Sequence, residues 1–198
     1  MGWVIFIIVV VGLLVLVSNA NEADKIKENK SKLESKIRSI DGFNANQKIE
    51  SINGSFVLSF DDVNKKIAYI NSYYTGVVNY SEVVGIDIVK DNKIVSSRSI
   101  SSTVGRAVVG GVLLGGVGAI AGAVTGKYKD TEYVSNVTVN IKTSNLNKAI
   151  FKVETFNSNS MCFTSQVKKG SSGWIDYEKG MKLAREIDLK VSSIIDKN

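Results

Sequence analysis

The sequence predicts an α+β protein: an N-terminal transmembrane helix, a short helical stalk, an antiparallel sheet interrupted by a glycine-rich apolar insertion, and a C-terminal helix. Three observations predict it. Residues 1–21 carry no charge beyond the amino group. Short β-branched runs separated by turn residues fill 46–95 and 134–156. Residues 176–195 place their apolar side chains on one helical face.

The first element is Gly2 to Val17, apolar on every side and close to the ~17–25 residues that a spanning helix needs. Trp3 stands at its edge, where an interfacial aromatic belongs. The alternative is a cleaved signal peptide, for which Ser18-Asn19-Ala20 has the small residues, but the basic n-region of such a peptide is missing. No Cys lies near the boundary, so a lipoprotein signal is not expected. Lys25, Lys27, Lys30, Lys32, Lys36 and Arg38 follow the span, and by the positive-inside tendency the bulk of the chain is expected on the cytoplasmic face of the cell membrane. Residues 1–20 are read as the anchor and 21–45 as a charged helical stalk. Ile26, Leu33 and Ile40 are seven apart and Ile37 shares their stripe, which fits either a solvated helix or a weakly dimerising one. Asp41-Gly42 ends it, glycine being the usual residue just past a helix.

Residues 46–198 form the domain. Strands are expected at Phe56–Phe60, Lys66–Ile70, Val77-Val78, Val83–Val89 and Ile94-Val95, divided by Asn53-Gly54, Asp61–Asn64, Asn71-Ser72, Asn79–Ser81 and Asp91-Asn92. A second set is expected at Val134–Ile141 and Ala149–Phe156. The chain then closes with a helix whose face is Tyr177, Met181, Ala184, Ile187, Val191 and Ile194.

The insertion at 105–127 holds twenty uncharged residues, 107–126, of which seven are Gly. Gly111 and Gly115 lie on one helically spaced ridge of small residues with Ala107, Ala119 and Ala123, and Gly118, Gly122 and Gly126 form another. In water each Gly costs a helix about 1 kcal/mol, whereas in a bilayer small residues every fourth position let helices approach closely. Three readings stand: a second membrane-spanning helix, a glycine-zipper hairpin on a membrane or on another copy, or an apolar loop folded against its own domain. Two nucleotide-binding readings fail. Gly116-Val-Gly118-Ala-Ile-Ala121 matches a dinucleotide fingerprint only inside a uniform Gly/Ala repeat, and in 121–128 Ala121 and Tyr128 replace the Gly and Ser/Thr of a P-loop.

Composition narrows the chemistry. The chain has 198 residues, no His, one Cys, no Pro and a net charge of +6. Without His there is no usual general base, metal ligand or pH switch, and Ser-His or Cys-His schemes are impossible. One Cys excludes an internal disulfide and a Cys-based zinc cage. The positive excess is small and spread out, so nucleic acid is not an expected partner. Asp61-Asp62 read as solvated turn residues, Asp87 as a solvent-facing strand residue and Cys162 as a small buried hydrophobe. Tyr69, Tyr73, Tyr74 and Tyr80 read as core or interface. No catalytic, cofactor or metal site is therefore expected. Lys168, Lys169 and Trp174 lie in a basic Gly/Ser loop that reads either as a linker or as a contact for anionic lipid heads, worth about 1 kcal/mol per basic residue.

Tyr80-Ser81-Glu-Val-Val-Gly-Ile-Asp-Ile-Val-Lys-Asp-Asn92, followed by Gly105-Arg106 through Thr125-Gly126-Lys127, a β-pair and a terminal helix, resembles a group of bacterial and phage proteins. In that group a pleckstrin-homology-like domain is interrupted by a glycine-zipper segment. The resemblance covers roughly residues 50–196 and is sharpest in the glycine segment. It implies a strongly bent seven-stranded sheet, or partly open barrel, plugged by the C-terminal helix. A helical module called SHOCT, frequent in the group, is not found in these residues and lends no role. Such domains bind lipids, peptides or themselves and are rarely catalytic. The expectation is a membrane-anchored, non-catalytic binding or scaffold protein, single-pass or two-pass, that contacts lipid or protein and self-associates through the glycine segment. The alternative is a membrane-active effector of the phage-exclusion or toxin kind, whose glycine segment inserts in the bilayer.

Overall fold

A computed structural model describes residues 2–100, 132–145 and 150–197. The first element is one unbroken helix, α1 (Gly2–Arg38). Helices of this length are not held by propensity alone, and α1 gains its support at its C-terminal end, where it meets the sheet. The side chains of most of the run 3–17 lie outside the described residues, and among the described residues no helix is long and apolar enough to cross a membrane.

A four-stranded antiparallel meander follows: β1 (Gln47–Glu50), β2 (Phe56–Asp61), β3 (Lys66–Asn71) and β4 (Thr75–Asn79), in that spatial order. Phe56 pairs with Asn71 and Asp61 with Lys66, so the turns after β1 and β3 share one end and the β2–β3 turn lies at the other. A single 3₁₀ turn, Tyr80–Glu82, leads into the second sheet. That sheet contains β5 (Val83–Lys90), β6 (Lys93–Ser99), β8 (Asn136–Thr143) and β9 (Ile150–Asn157) in the order β6-β5-β8-β9. Asp91 and Asn92, both at positive φ, join β5 to β6 in the two-residue manner that suits right-twisted strands. A two-stranded ribbon pairs β7 (Tyr133–Val134) with β10 (Val167–Lys168), and the short helix α2 (Ser158–Met161) lies between β9 and β10.

The C-terminal helix α3 (Trp174–Ile195) buries Tyr177, Ala184, Ile187, Val191, Ile194 and Ile195 against both sheets. They share one core with Leu58, Phe60, Ile67, Ile86, Val139, Ile141 and Phe156. The antiparallel sheet, the turns and the apolar face of the last helix agree with the sequence pattern. The strand count does not. Eight strands, not seven, make up the two sheets among the described residues, because the short polar strand β1 carries only one buried residue, Ile49, to signal it. The run expected as one strand from Val134 is also split at Ser135. There Asp91 Oδ1 accepts from the backbone N–H groups of both Ser135 and Asn136, and Val134 pairs with β10 instead.

Candidate membrane-facing site and the flanks of the insertion

The last turns of α1 lie across the outer face of the first sheet. Leu33 and Ile37 are 4 % exposed and pack with Val57, Ala68 and Ile70, while Ile40, Phe43, Ala45 and Val77 close the edges. The stripe that the sequence left open between a solvated and a dimerising helix is thus covered by the chain's own sheet. Burying two such side chains stabilises the seam by about 2 kcal/mol each. Around it Lys30 pairs with Glu50 at 2.9 Å, Lys48 pairs with Glu34, and Lys36 Nζ donates to the carbonyls of Asn71 and Ser72 at 3.0 and 2.7 Å. These ion pairs are partly solvated and contribute at most ~1 kcal/mol each, so apolar burial holds the helix and the charges set its register.

The β1–β2 turn reaches furthest back along α1. Gly54 is buried, has φ +68°, and a Cβ placed on it would stand 3.1 Å from the carbonyl oxygen of Ile26 and 3.4 Å from Lys30 Cγ. Both the backbone conformation and the approach to the helix demand glycine here. Ser51 ties the turn together: its N–H donates to the Phe56 carbonyl, and its Oγ accepts from the Phe56 N–H. Ile52, next in the chain, is 41 % exposed.

The glycine ridge residues Gly111, Gly115, Gly118, Gly122 and Gly126 lie outside the described residues, but the strands that flank them do not. β6 pairs with β5 on one side and β8 pairs with β5 on the other, both antiparallel, so β6 and β8 run parallel with β5 between them. β6 ends at Ser99 opposite Gly85, whereas the chain re-enters beside Lys90 and Asp91. The two exits are therefore separated by the length of β5 from Gly85 to Lys90, about 17 Å at 3.3 Å per residue. A stretch of twenty residues crosses a bilayer once, and one crossing would put its two flanks on opposite sides. Both flanks are hydrogen-bonded into one sheet, through β6 on one edge of β5 and β8 on the other. The re-entry point is clamped: Lys90 Nζ bonds Glu132 at 2.8 Å, and the Lys169 N–H donates to the Glu132 carbonyl.

Lys168 and Lys169 belong to that clamp, Lys168 facing Tyr133 in the ribbon register and Lys169 Nζ lying 3.8 Å from Glu132. Trp174 opens α3, packs on Tyr177 with the rings tilted at 54° and 4.5 Å between centroids, and donates through Nε1 to Glu178. Tyr177 in turn packs on Phe156, whereas Phe151 packs on Tyr69 and Tyr74 near the β3–β4 turn. Five residues of β9, about 17 Å, separate the Lys168–Trp174 region from the sheet end that carries the β1–β2 turn.

Three expectations about acidic and aromatic residues change. Asp61 is fully buried, not solvated: it accepts from the backbone N–H groups of Asn44 and Asn64 and from Asn64 Nδ2. Burial pushes its carboxyl up, but those donors outweigh burial and hold it below the usual range. Asp87 is 3 % exposed, bonded to Lys142 and Ser97 at 2.6 Å each. Alternation correctly put it on the outer face but could not show the two partners that cover it. Tyr73 is 99 % exposed, while Tyr69 is buried and Tyr80 donates to Asp62 Oδ1 at 2.7 Å. That bond, with donors from Asn46 and Lys190, holds the Asp62 carboxyl down at about 2. Cys162 is half-buried, with Sγ 4.0 Å from the Gly173 carbonyl, and burial pushes its thiol up. Among the described residues no three His, Cys, Asp or Glu side chains are grouped to hold a metal.

The chain is 29% identical over 159 residues to a protein named Immunity protein of Bacillus phage SPbeta, covering 74% of each chain. It is 30% identical over 167 residues to an SPbeta prophage-derived uncharacterized membrane protein of Bacillus subtilis, covering 77% of this chain and 69% of the relative. No solved structure matches it. The family model described as "Glycine zipper containing PH domain" matches residues 45–157, from the approach to β1 through the end of β9, and the chain belongs to that family.

Proposed function

We propose that this protein is a membrane-anchored, non-catalytic binding module that acts in the relation between a resident prophage and its host. The observation that carries the reading is α1: a single helix from Gly2 to Arg38 whose first twenty residues carry no charge and whose last turns are packed into the domain. A helix joined to its domain by Leu33, Ile37 and Gly54 holds that domain at a fixed place beside the bilayer. The relatives support the setting, one being named a membrane protein of a prophage and the other an immunity protein of a phage. A non-catalytic role is consistent with the absence of His and with a lone thiol whose titration is pushed up.

The test has two parts. Membranes from cells expressing the full chain, washed with alkaline carbonate, are expected to retain it, whereas a chain lacking residues 2–20 is expected in the wash. Release of the full chain would overturn the anchor. Challenge of the same cells with a temperate phage of the SPbeta kind should then give about tenfold fewer plaques than on control cells, with plating restored by the deletion.

The effector reading rests on a different feature, the uncharged run 107–126 between flanks that belong to one sheet. It requires dye leakage on induction, abolished by Gly118→Leu or Gly122→Leu. Plaque reduction without leakage supports the binding module.

A further inference from the structure

We infer that the β1–β2 turn, Ser51 to Ser55, is the point at which the domain touches the bilayer, with Ile52 entering the headgroup layer. The inference rests on anchoring by α1 and adds to it a depth and a residue. The last uncharged position of the N-terminal run is Asn21, and the charges begin at Glu22. Gly54 meets the helix at Ile26, Asn29 and Lys30. From Asn21 to Ile26 is five residues, about 7.5 Å along a helix rising 1.5 Å per residue. The polar layer of one leaflet is about 5–8 Å deep, the difference between ~30 Å of hydrocarbon and ~40–45 Å overall, halved. A helix whose hydrocarbon segment ends near Asn21 therefore brings the turn to the outer edge of the headgroups. An average tilt of about 20° shortens that height by less than a tenth.

The turn suits that place. Its tip carries an exposed isoleucine where Asn, Ser and Gly make up the rest, and its backbone is fixed by the Ser51–Phe56 hydrogen bonds and by the Gly54 contact. Lys25 and Lys27 are exposed on the helix at the same level, beside the exposed Asp24 and Glu28, so the charges there are mixed and Ile52 is the feature that suits the headgroup layer. The β3–β4 turn at this sheet end is further off. Lys36, which binds the β3–β4 turn, is ten residues beyond Ile26, about 15 Å along the axis.

The experiment uses the full chain with Cys162→Ser, reconstituted in phosphatidylcholine/phosphatidylglycerol vesicles, and one fluorophore at a time on Ile52→Cys, Asn53→Cys, Val63→Cys or Leu13→Cys. Val63 is 75 % exposed in the β2–β3 turn at the opposite end of the sheet and serves as the distal control. With a headgroup-attached spin label, quenching at Ile52 or Asn53 is expected to be at least about threefold that at Val63, and with an acyl-chain spin label Leu13 is expected to be quenched most. Ile52 and Asn53 matching Val63 while Leu13 is quenched would overturn the contact and leave the anchor standing. Leu13 unquenched by either lipid would overturn the anchor, and this inference with it.

Discussion

Ser59 is 0 % exposed in β2 beside Ala68, and its Oγ has no hydrogen-bond partner. A buried hydroxyl without a partner costs about 1–3 kcal/mol, so Ser59→Ala is expected to stabilise the domain by about 1 kcal/mol, read as a higher denaturant midpoint at constant slope. Gly180 behaves in the opposite sense. Alanine there gains about 1 kcal/mol of helix propensity, yet its Cβ would stand 2.6 Å from Phe156 Cβ and 2.8 Å from the Thr155 carbonyl. Backbone and core both block it, so Gly180→Ala is expected to lower stability by about 2 kcal/mol in the same titration. Neither position could be chosen from the sequence. The helical face was legible as Tyr177, Ala184, Ile187, Val191 and Ile194, but that pattern does not show that Gly180 lies directly against Thr155 and Phe156 of β9. Asp61 and Asp62 were misjudged for a related reason: adjacent acids in a turn look solvated until the donors from Asn44, Asn46, Asn64 and Tyr80 are known.

At the scale of elements, Asp62 in the β2–β3 turn is bonded by Lys190 of α3 and by Tyr80 of the 3₁₀ turn, and so ties both to the first sheet. Asp62 falls from 3.8 to about 2 on folding, so its contribution is present above pH ~4 and fades as the pH falls from ~4 towards 2. Burial and the neighbouring Asp62 raise the Tyr80 phenol above 10, so its contribution is present below pH ~10 and lost as the pH rises beyond that. Asp62 is about a third exposed, which limits the effect to about 1 kcal/mol. Stability measured by denaturant between pH 5 and 2 should therefore fall more steeply in the wild type than in Asp62→Asn, and the two curves should converge at low pH. The helix α1 was legible as an apolar run plus a charged stripe, but its docking was not, because heptad spacing does not say whether the covering surface is another helix or a sheet. Gly54→Val is expected to loosen that docking, seen as faster hydrogen exchange at Leu33–Ile37 with the core of the second sheet unchanged.

For the whole molecule, the alternation of strands and turns made the architecture readable, whereas the pairing order was not. Short hairpins connect neighbours, and a reader of the sequence would place β8 beside β6. Instead β8 joins the far side of β5, so that both flanks of the insertion belong to one sheet. Cysteines placed one at a time at Ser99 and Tyr133, in a Cys162→Ser background, are expected to react with a membrane-impermeant maleimide under the same condition, both before or both only after permeabilisation. Opposite behaviour would mean that the second sheet is not formed as described.

The position of β5 also has a consequence in time. Its hairpin with β6 closes as soon as Ser99 has left the ribosome, but its other edge stays unpaired until β8 has been made, more than thirty residues later. During that interval the nascent chain carries both an open strand edge and the twenty uncharged residues 107–126, the combination most prone to wrong association. An N-terminal helix already delivered to the membrane would by then hold the growing chain at a surface and keep neighbouring copies apart.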